Sequence, residues 1–219
     1  ADMNIDVELT VTERTAMHKY TFNQPGEANL LLDLQNGLVF NSKNIRYRVL
    51  EGEVEMLDNK TIAGYNRVRG WVARYFYYMI VFDRPYTVKK ELPQEEGEKA
   101  KRFILEFDLK EGESVQVKVA LSTVGIEGAK MALDKENPGW NFESIKAETN
   151  GKWNDMLSLV EVEGTEEEKM NFYTSMYHLF IQPTNIADID GKYRGANDSI
   201  FVSSTGYYYS TFSLWDTYR

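Results

Sequence analysis

The residues from Asn4 to Thr12 read NIDVELTVT, and polar and apolar side chains alternate strictly along them. Successive side chains of a β-strand point to opposite faces of the sheet, so a period of two places every apolar side chain on one face. Those side chains are Ile5, Val7, Leu9 and Val11. The stretch therefore predicts that the chain opens with a β-strand whose apolar face is buried.

Short segments of the same kind continue to about residue 124. Turn-forming pairs such as Pro25-Gly26, Asn36-Gly37 and Glu111-Gly112 separate them. The predicted strands cover residues 16–23, 28–34, 44–57, 61–68, 74–83, 101–108 and 114–122. Many short strands with frequent turns are typical of two packed antiparallel sheets rather than of alternating strands and helices. We therefore predict an antiparallel β-sandwich over residues 1–124, with the charged segment 91–100 as a solvated hairpin tip.

The strand predicted at residues 74–83, RYFYYMIVFD, carries large side chains on both of its faces. Alternation places Tyr75, Tyr77 and Met79 on one face, and Phe76, Tyr78 and Ile80 on the other. Such a strand predicts a sandwich wall that is buried on both sides. Its aromatic content leaves a second interpretation open, in which the sandwich is a carbohydrate-binding module, because flat rings stack on sugars.

The composition becomes helical after the last predicted strand. Residues 125–135 and 141–160 predict two helices, and residues 125–164 are interpreted as a helical linker. A third helix is predicted from Thr165, because this residue and the three glutamates after it have the sequence of a capping box.

The third predicted helix runs to about Gln182 and is apolar on nearly all sides after Asn171. We therefore expect it to be packed on most sides. One helix cannot bury so wide an apolar surface by itself. Residues 165–219 are accordingly interpreted as the beginning of a larger α-helical domain.

Charge and composition exclude several classes of partner and site. The chain has 25 Lys and Arg residues against 34 Asp and Glu residues, and its net charge of −9 argues against nucleic acids and anionic membranes as main partners. It has no cysteine, which excludes disulfides and thiolate metal sites. No apolar run reaches the roughly 18 residues that span a bilayer, and the N-terminus lacks the pattern of a signal peptide. The two histidines, His18 and His178, are predicted to be structural.

The sequence Asp188-Ile189-Asp190-Gly191 has the alternating acidic residues of a calcium-binding loop. The match ends there, because no glutamate occupies the twelfth position of the loop. The alternative is a tight turn in which Asp190-Gly191 is a two-residue hairpin loop, and this interpretation is favoured.

The stretch Tyr207–Arg219, YYYSTFSLWDTYR, combines side chains that suit a sugar or an anion. Trp215 offers a flat apolar face, Asp216 accepts hydrogen bonds from hydroxyl groups, and Arg219 donates a planar fork of hydrogen bonds. The same residues fit the start of a helix, with Ser213 as the N-cap and Asp216 at the third position. On the residues alone, a substrate-binding wall and an ordinary helix start remain equal alternatives.

Several of these motifs resemble a known enzyme family. FYTSMYHLFIQPTNIADIDGKYRG and YYYSTFSLWDTYR closely resemble the domain junction of the glycoside hydrolase family 92 α-mannosidases. Upstream, VELTVTERTAMHKYTF, ANLLLDL, IAGYNRVRGW and VALSTVGIEGAKMAL resemble the N-terminal sandwich of that family, in the same order. The resemblance extends over essentially the whole chain, although the first strands of the family's sandwich have no counterpart.

The resemblance implies a β-sandwich, a helical linker and the first part of an (α/α)6 catalytic barrel. Members of the family are calcium-dependent, inverting exo-α-mannosidases that act on N-glycans or mannans, and they are typically bacterial and exported to the periplasm or cell surface. Their two catalytic carboxylates and their calcium ligands lie in the barrel, beyond the position that matches Arg219. The resemblance thus implies the N-terminal part of such an enzyme, inactive by itself.

The resemblance also implies roles for particular residues. Trp215 and Asp216 match a motif that contributes to the pocket for the terminal mannose. Arg219 is a further candidate for substrate binding, with a structural ion pair as the alternative. Asp190 and Arg194 match a motif that implies a loop beneath the pocket, and no residue matches the catalytic acid or base. A sandwich that only docks the barrel remains a structural alternative to a sugar-binding one.

Overall fold

The computed structural model describes residues 4–36, 49–69 and 73–210. Within these residues the chain forms eleven β-strands and three α-helices. The strands are β1 (Ile5–Val11), β2 (Thr15–Phe22), β3 (Ala28–Asp33), β4 (Val49–Met56), β5 (Thr61–Arg69), β6 (Ala73–Phe82), β7 (Thr87–Glu91), β8 (Arg102–Phe107), β9 (Ser114–Ser122), β10 (Lys192–Arg194) and β11 (Ile200–Val202). The helices are α1 (Ile126–Glu136), α2 (Phe142–Leu157) and α3 (Glu166–Phe180).

The strands form three antiparallel sheets. Six strands pair in the order β1-β2-β9-β6-β5-β4, and three pair in the order β3-β8-β7. The last two strands, β10 and β11, form a separate hairpin. The mainly β, antiparallel fold class predicted from the sequence is confirmed, while β7 and the β10–β11 pair were not predicted as strands.

The first hydrophobic core lies between the six-stranded and three-stranded sheets. Ile62 and Val115 are fully buried there. The ring of Phe82 packs against the rings of Tyr86 and Phe107, with a centroid distance of 5.3 Å to each. Because burial of apolar area contributes about 25 cal/mol per Å², this core stabilises the packing of the two sheets.

A second core covers the opposite face of the six-stranded sheet. It consists of Ala63, Met79 and Ala120 from the sheet and Ala129, Ala132 and Leu133 from α1. The sheet is therefore buried on both sides at Tyr78, Met79 and Ile80, as predicted for this strand. Phe76, near the start of β6, differs and is 37% exposed.

The prediction that the apolar face of β1 is buried is wrong. Val7, Leu9 and Val11 are 55%, 62% and 49% exposed, whereas Thr10 on the opposite face is 7% exposed. The reason is tertiary: α2 contacts β1 on its polar face, where the Nζ of Lys146 lies 3.9 Å from the carboxylate of Glu8. The hydroxyl of Thr149 also donates a hydrogen bond to the carbonyl of Val11. Among the described residues, β1 is also an edge strand that pairs with β2 alone.

The predicted capping box of α3 is present. The hydroxyl of Thr165 accepts a hydrogen bond from the amide of Glu168, and the Glu168 carboxylate accepts one from the amide of Thr165 at 2.8 Å. The prediction that α3 is packed on most sides does not hold within the described residues, where Met176 is its one buried side chain. The main ring contact between α3 and α2 joins Tyr177 to Trp153, at 4.7 Å between centroids.

Two smaller predictions have mixed outcomes. His18 is a structural histidine as predicted, since its Nδ1 lies 2.8 Å from the hydroxyl of Tyr20, whereas His178 lies on an exposed face of α3.

In the charged segment 91–100 the Glu98 side chain is only 3% exposed, because it pairs with Arg102 at 2.9 Å. Within the described residues, no helix is both long and apolar enough to cross a membrane.

Candidate functional site

The three substrate-binding residues predicted from the sequence, Trp215, Asp216 and Arg219, lie outside the described residues. The structure does describe the chain that leads to them. This chain consists of residues 181–191, the β10–β11 hairpin and the segment 207–210. These elements fold back on the sandwich and on α1, and their contacts make up the candidate site.

Residues 188–192 form a tight turn in front of β10. The amide of Gly191 donates to the carbonyl of Asp188 at 2.9 Å, and the amide of Asp188 donates to the carbonyl of Lys192 at 2.8 Å. Gly191 has a φ of +78°, which a residue without a Cβ adopts readily. The predicted tight turn is confirmed, but the predicted two-residue hairpin loop is wrong, because Gly191 adds a left-handed third residue to the loop after Ile189 and Asp190.

The turn does not have the ligands of a calcium loop. The carboxylate of Asp190 accepts hydrogen bonds from the amide of Lys192 at 3.1 Å and from its Nζ at 2.6 Å. Partial burial opposes the shift, but these contacts with Lys192 lower the pKa of Asp190. Among the described residues, no group of three or more His, Cys, Asp or Glu side chains is placed to hold a metal ion.

Asp188, at the start of the turn, is a buried acid with 4% exposure. Its carboxylate accepts a hydrogen bond from the hydroxyl of Ser122 at 2.7 Å. Burial raises the pKa of Asp188. The hydroxyl of Ser122 in turn accepts hydrogen bonds from the amides of Val124 and Gly125, at 2.9 and 3.2 Å. Asp188 therefore holds the connection between β9 and α1.

Arg194, at the end of β10, donates to the same connection. Its Nε donates to the carbonyl of Thr123 at 2.7 Å, and its Nη2 donates to the carbonyl of Val124 at 3.2 Å. Its Nη1 donates to the carbonyl of Asp198 within its own hairpin, at 2.9 Å. The guanidinium thus binds backbone carbonyls of the β9–α1 connection and of its own hairpin.

The guanidinium of Arg194 also lies on the tyrosines of β6. Its central carbon is 4.9 Å from the ring centroid of Tyr75 and 5.8 Å from that of Tyr77. Arg67 approaches the ring of Tyr75 to 5.2 Å, and the hydroxyl of Tyr75 donates to Glu51 at 2.8 Å. These rings therefore serve contacts within the chain, which favours a structural sandwich over a carbohydrate-binding module.

A third anchor joins residue 187 to the turn between β1 and β2. The Nε of Arg14 donates to the carbonyl of Ala187 at 2.9 Å. Its Nη1 pairs with Glu136 at 2.7 Å, and Glu136 also accepts from the hydroxyl of Thr12 at 2.6 Å. Arg14 and Glu136 border a groove of about 670 Å³ between this turn and the helices α1 and α2. Sequence reasoning missed this anchor, because its members are far apart along the chain.

Aromatic rings cover the chain next to the predicted substrate-binding residues. Tyr193 stacks on Tyr208 with a centroid distance of 3.7 Å and an interplanar angle of 14°. On the other side of the segment, Tyr207 and Tyr209 are 58% and 53% exposed, and their rings lie within 12° of parallel. Exposed parallel rings of this kind suit the apolar face of a sugar ring.

Family models match both halves of the chain. The model described as the glycosyl hydrolase family 92 N-terminal domain matches residues 1–122. The model described as the glycosyl hydrolase family 92 catalytic domain matches residues 128–219. A search of curated proteins finds no match.

Solved structures of this family have the same fold. An α-mannosidase of family GH92 from Bacteroides thetaiotaomicron is 27% identical, with a TM-score of 0.87 over 98% of this chain. The same enzyme in complex with mannoimidazole is 26% identical over the aligned region, with a TM-score of 0.86 over 98% of this chain and 29% of that one. An inverting mannosidase of the family from the same species has a TM-score of 0.82 at 20% identity, over 98% of this chain and 29% of that one, and at this identity the likeness concerns the fold. The chain spans about 30% of the length of the first of these relatives.

Proposed function

The chain belongs to glycosyl hydrolase family 92, and on this premise we propose that it is the N-terminal portion of an exo-α-mannosidase. The proposed substrates are terminal α-mannosides of N-glycans or mannans. The observation that carries the proposal is the match of both family models, one on each side of the junction at residues 122–128. The mannoimidazole complex of a relative supports a mannoside as ligand.

The proposed reaction is hydrolysis with inversion at the anomeric carbon. One carboxylic acid protonates the leaving oxygen, while a carboxylate about 6.5–9.5 Å away activates a water molecule on the opposite face of the sugar. One structural relative is an inverting mannosidase of the family, which supports this course. We assign both carboxylates to sequence that follows Arg219 in the whole enzyme.

Acidic residues along the groove beside α1 and α2 already have partners. Glu136 pairs with Arg14 at 2.7 Å, and Glu148 pairs with Lys152 at 3.0 Å. Both carboxylates are thus engaged in ion pairs within the chain. The observation supports an assignment of the acid and the base elsewhere in the enzyme.

Calcium dependence belongs to the proposal for the whole enzyme. The described residues do not fit a calcium site, since no cluster of three or more potential ligand side chains occurs among them. Calcium prefers six to eight oxygen ligands, so a site needs several carboxylates and carbonyls at one place. We assign the ligands to the remainder of the barrel and derive no step through the ion.

This chain is proposed to supply one wall of the mannose pocket. The ring of Trp215 stacks on the apolar face of the sugar, the carboxylate of Asp216 accepts hydrogen bonds from its hydroxyl groups, and Arg219 donates to a sugar oxygen. The aromatic residues just before them, Tyr207 and Tyr209, extend this surface. Export to the periplasm or cell surface completes the proposal, because glycans are found there.

The proposal is tested by mannose release from an aryl α-mannoside. We expect the whole enzyme to release mannose, to lose activity with a calcium chelator and to regain it with added calcium. Proton NMR of the first product should show the β-anomer, as inversion requires.

The 219-residue chain alone is the matched control. It should release no mannose, because the acid and the base are assigned to sequence outside it. Calcium-dependent release by this chain alone would contradict the assignment, and an inactive whole enzyme would contradict the proposed function itself.

A further inference from the structure

The connection between β9 and α1, residues 122–125, is held from two sides by one short motif. This motif is DIDGKYR, residues 188–194. The family models divide at the same connection, because one ends at residue 122 and the other begins at residue 128. The motif belongs to the second half of the chain but contacts the end of the first.

The two ends of the motif bind complementary groups of the connection. The carboxylate of Asp188 binds the hydroxyl of Ser122, and this hydroxyl gathers two amide N–H groups. The guanidinium of Arg194 binds the carbonyls of Thr123 and Val124. The carboxylate of Asp188 thus accepts from the donor side of the connection, and the guanidinium of Arg194 donates to its carbonyls. Together the two contacts fix the position and the direction of the connection.

The residues between these ends shape the motif. The left-handed turn at Gly191 reverses the chain, and the carboxylate of Asp190 accepts a hydrogen bond from the amide of Lys192. The turn therefore places Asp188 and Arg194 against the same connection, although five residues separate them in sequence. Ile189, between Asp188 and Asp190, packs against the second core.

Tyr193 connects the motif to the segment that precedes the pocket residues. Its ring stacks on Tyr208 at 3.7 Å. Backbone hydrogen bonds add to the stack: the amide of Ile186 donates to Tyr208 at 2.8 Å, and the amide of Ser210 donates to Thr184 at 2.7 Å. Residues 184–186 and 208–210 are therefore paired on a base that the motif anchors to the sandwich.

We propose that the motif DIDGKYR is a clamp that holds the wall of the mannose pocket on the β-sandwich. Asp188 and Arg194 are its two jaws, and Tyr193 is the positioning residue that supports the segment leading to Trp215 and Asp216. The role in substrate binding rests on the proposed function, whereas the clamp is a structural claim that holds or fails by itself.

Variants of the whole enzyme separate the parts of the clamp. Arg194→Met keeps the bulk of the side chain and removes its hydrogen bonds, and Asp188→Ala removes the other jaw. Asp188→Asn and Tyr193→Phe are conservative variants that retain the acceptor and the ring. Lys192→Met is the matched control, because it removes a charge from the same strand, and the Nζ of Lys192 donates to Asp190 rather than to either end of the clamp.

Hydrogen exchange tests the clamp without any need for activity. In Arg194→Met and Asp188→Ala we expect the amides of Ile186 and Tyr208 to exchange about tenfold faster or more than in wild type. Lys192→Met and the conservative variants should exchange no faster than wild type. Unchanged exchange in both disruptive variants would overturn the clamp.

Kinetics with an aryl α-mannoside test the positioning role. Substrate binding weakens when the pocket wall loses its position. In Arg194→Met and Asp188→Ala we therefore expect KM to rise about tenfold, with kcat nearly unchanged. Partial unfolding would instead lower kcat in proportion to the folded fraction and leave KM alone. Faster exchange with an unchanged KM would therefore overturn the positioning role and leave a purely structural clamp. If the wild-type enzyme releases no mannose, the proposed function and the positioning role both fail, and the exchange result still decides the clamp.

Discussion

Asp188 is a carboxyl group whose ionisation opposes folding. Burial raises its pKa, the charge of Asp190 adds to this effect, and Ser122, Arg14 and Lys192 act against it. A carboxyl with a higher pKa in the folded chain binds more protons when folded, so its ionised form destabilises the fold above the folded pKa. This cost disappears as the pH falls through the folded pKa towards the ordinary value of 3.8.

The variant Asp188→Asn should therefore be more stable than wild type at neutral pH. The amide keeps an acceptor for the Ser122 hydroxyl and removes the buried charge. We expect its thermal unfolding midpoint to exceed that of wild type at about pH 7, and the difference to shrink towards about pH 4. Calorimetry across this pH range measures the difference.

Asp190→Asn is a control of opposite sign. Partial burial works against the shift, but hydrogen bonds and charge from Lys192 lower the pKa of Asp190. Its ionised form therefore stabilises the fold above the unfolded pKa, and this contribution is lost as the pH falls. The same pH dependence in both variants would contradict the assignment of the buried charge to Asp188.

The contacts that build the candidate site were the hardest part to predict from the sequence. Arg194 lies 71 residues from Thr123, and Arg14 lies 122 residues from Glu136. Local patterns carry no information on such pairs, because they form only when separate elements pack together. The resemblance of the motif to a family indicated a loop near the pocket, but neither the partners of Arg194 nor the burial of Asp188 followed from it.

Helix α1 approaches its neighbours closely at Gly128. A Cβ added there would lie 2.6 Å from the hydroxyl oxygen of Ser122 and 2.8 Å from the carboxyl carbon of Asp188. Both distances are shorter than real Cβ atoms tolerate. The absence of a side chain at this position therefore allows the first turn of α1 to pack on the clamp.

The variant Gly128→Ala should destabilise the fold, although alanine favours a helix over glycine by about 1 kcal/mol. The methyl group displaces a buried carboxyl and its hydrogen bond, and overpacking of this kind costs about 1–3 kcal/mol. Gly151→Ala in α2 is the matched control, because nothing lies within 4 Å of the added atom. It should stabilise the fold by up to about 1 kcal/mol. Urea unfolding of both variants measures the two signs, and an equal gain in both would contradict the close packing.

Strand and helix positions were predicted well because their signals are local. The capping box of α3 and the period of two in β1 are visible within a few residues. The face that each element buries depends on its neighbours, and here the prediction failed for β1, whose polar side is covered by α2. On α3, Met170 and Leu179 are 68% and 65% exposed, and the sequence assigned the apolar surface of this helix to packing within a larger α-helical domain.

For the whole molecule, the three anchors join the sandwich and the start of the catalytic region into one body. Arg14 binds Ala187, whereas Asp188 and Arg194 bind the β9–α1 connection, so all three contacts fall within a stretch of eight residues, from Ala187 to Arg194 at the end of β10. The chain has a net charge of −9, whereas the proposed ligand is neutral. We therefore expect recognition by shape and hydrogen bonding rather than by attraction between charges.

The apolar row on β1 predicts association between copies of the 219-residue chain. Leu9, in the middle of the row, is 62% exposed, and an exposed apolar edge strand is a template for another strand. Leu9→Lys should remove this template, because a lysine on an edge strand opposes pairing. We expect the variant to stay monomeric at concentrations where wild type forms larger species, as measured by light scattering.

Leu159→Lys is the matched control for that experiment. Leu159 is 68% exposed and lies in no strand, and both variants change the net charge equally. If the two lysines act alike, charge rather than the strand edge explains the result.

The exposed row on β1 has a practical consequence for anyone who purifies the chain. Losses should rise with protein concentration even well below the temperature at which the chain unfolds, because the apolar surface is already exposed in the folded state. Dilution should therefore reduce the losses, and cooling should help as well, since hydrophobic contacts weaken in the cold.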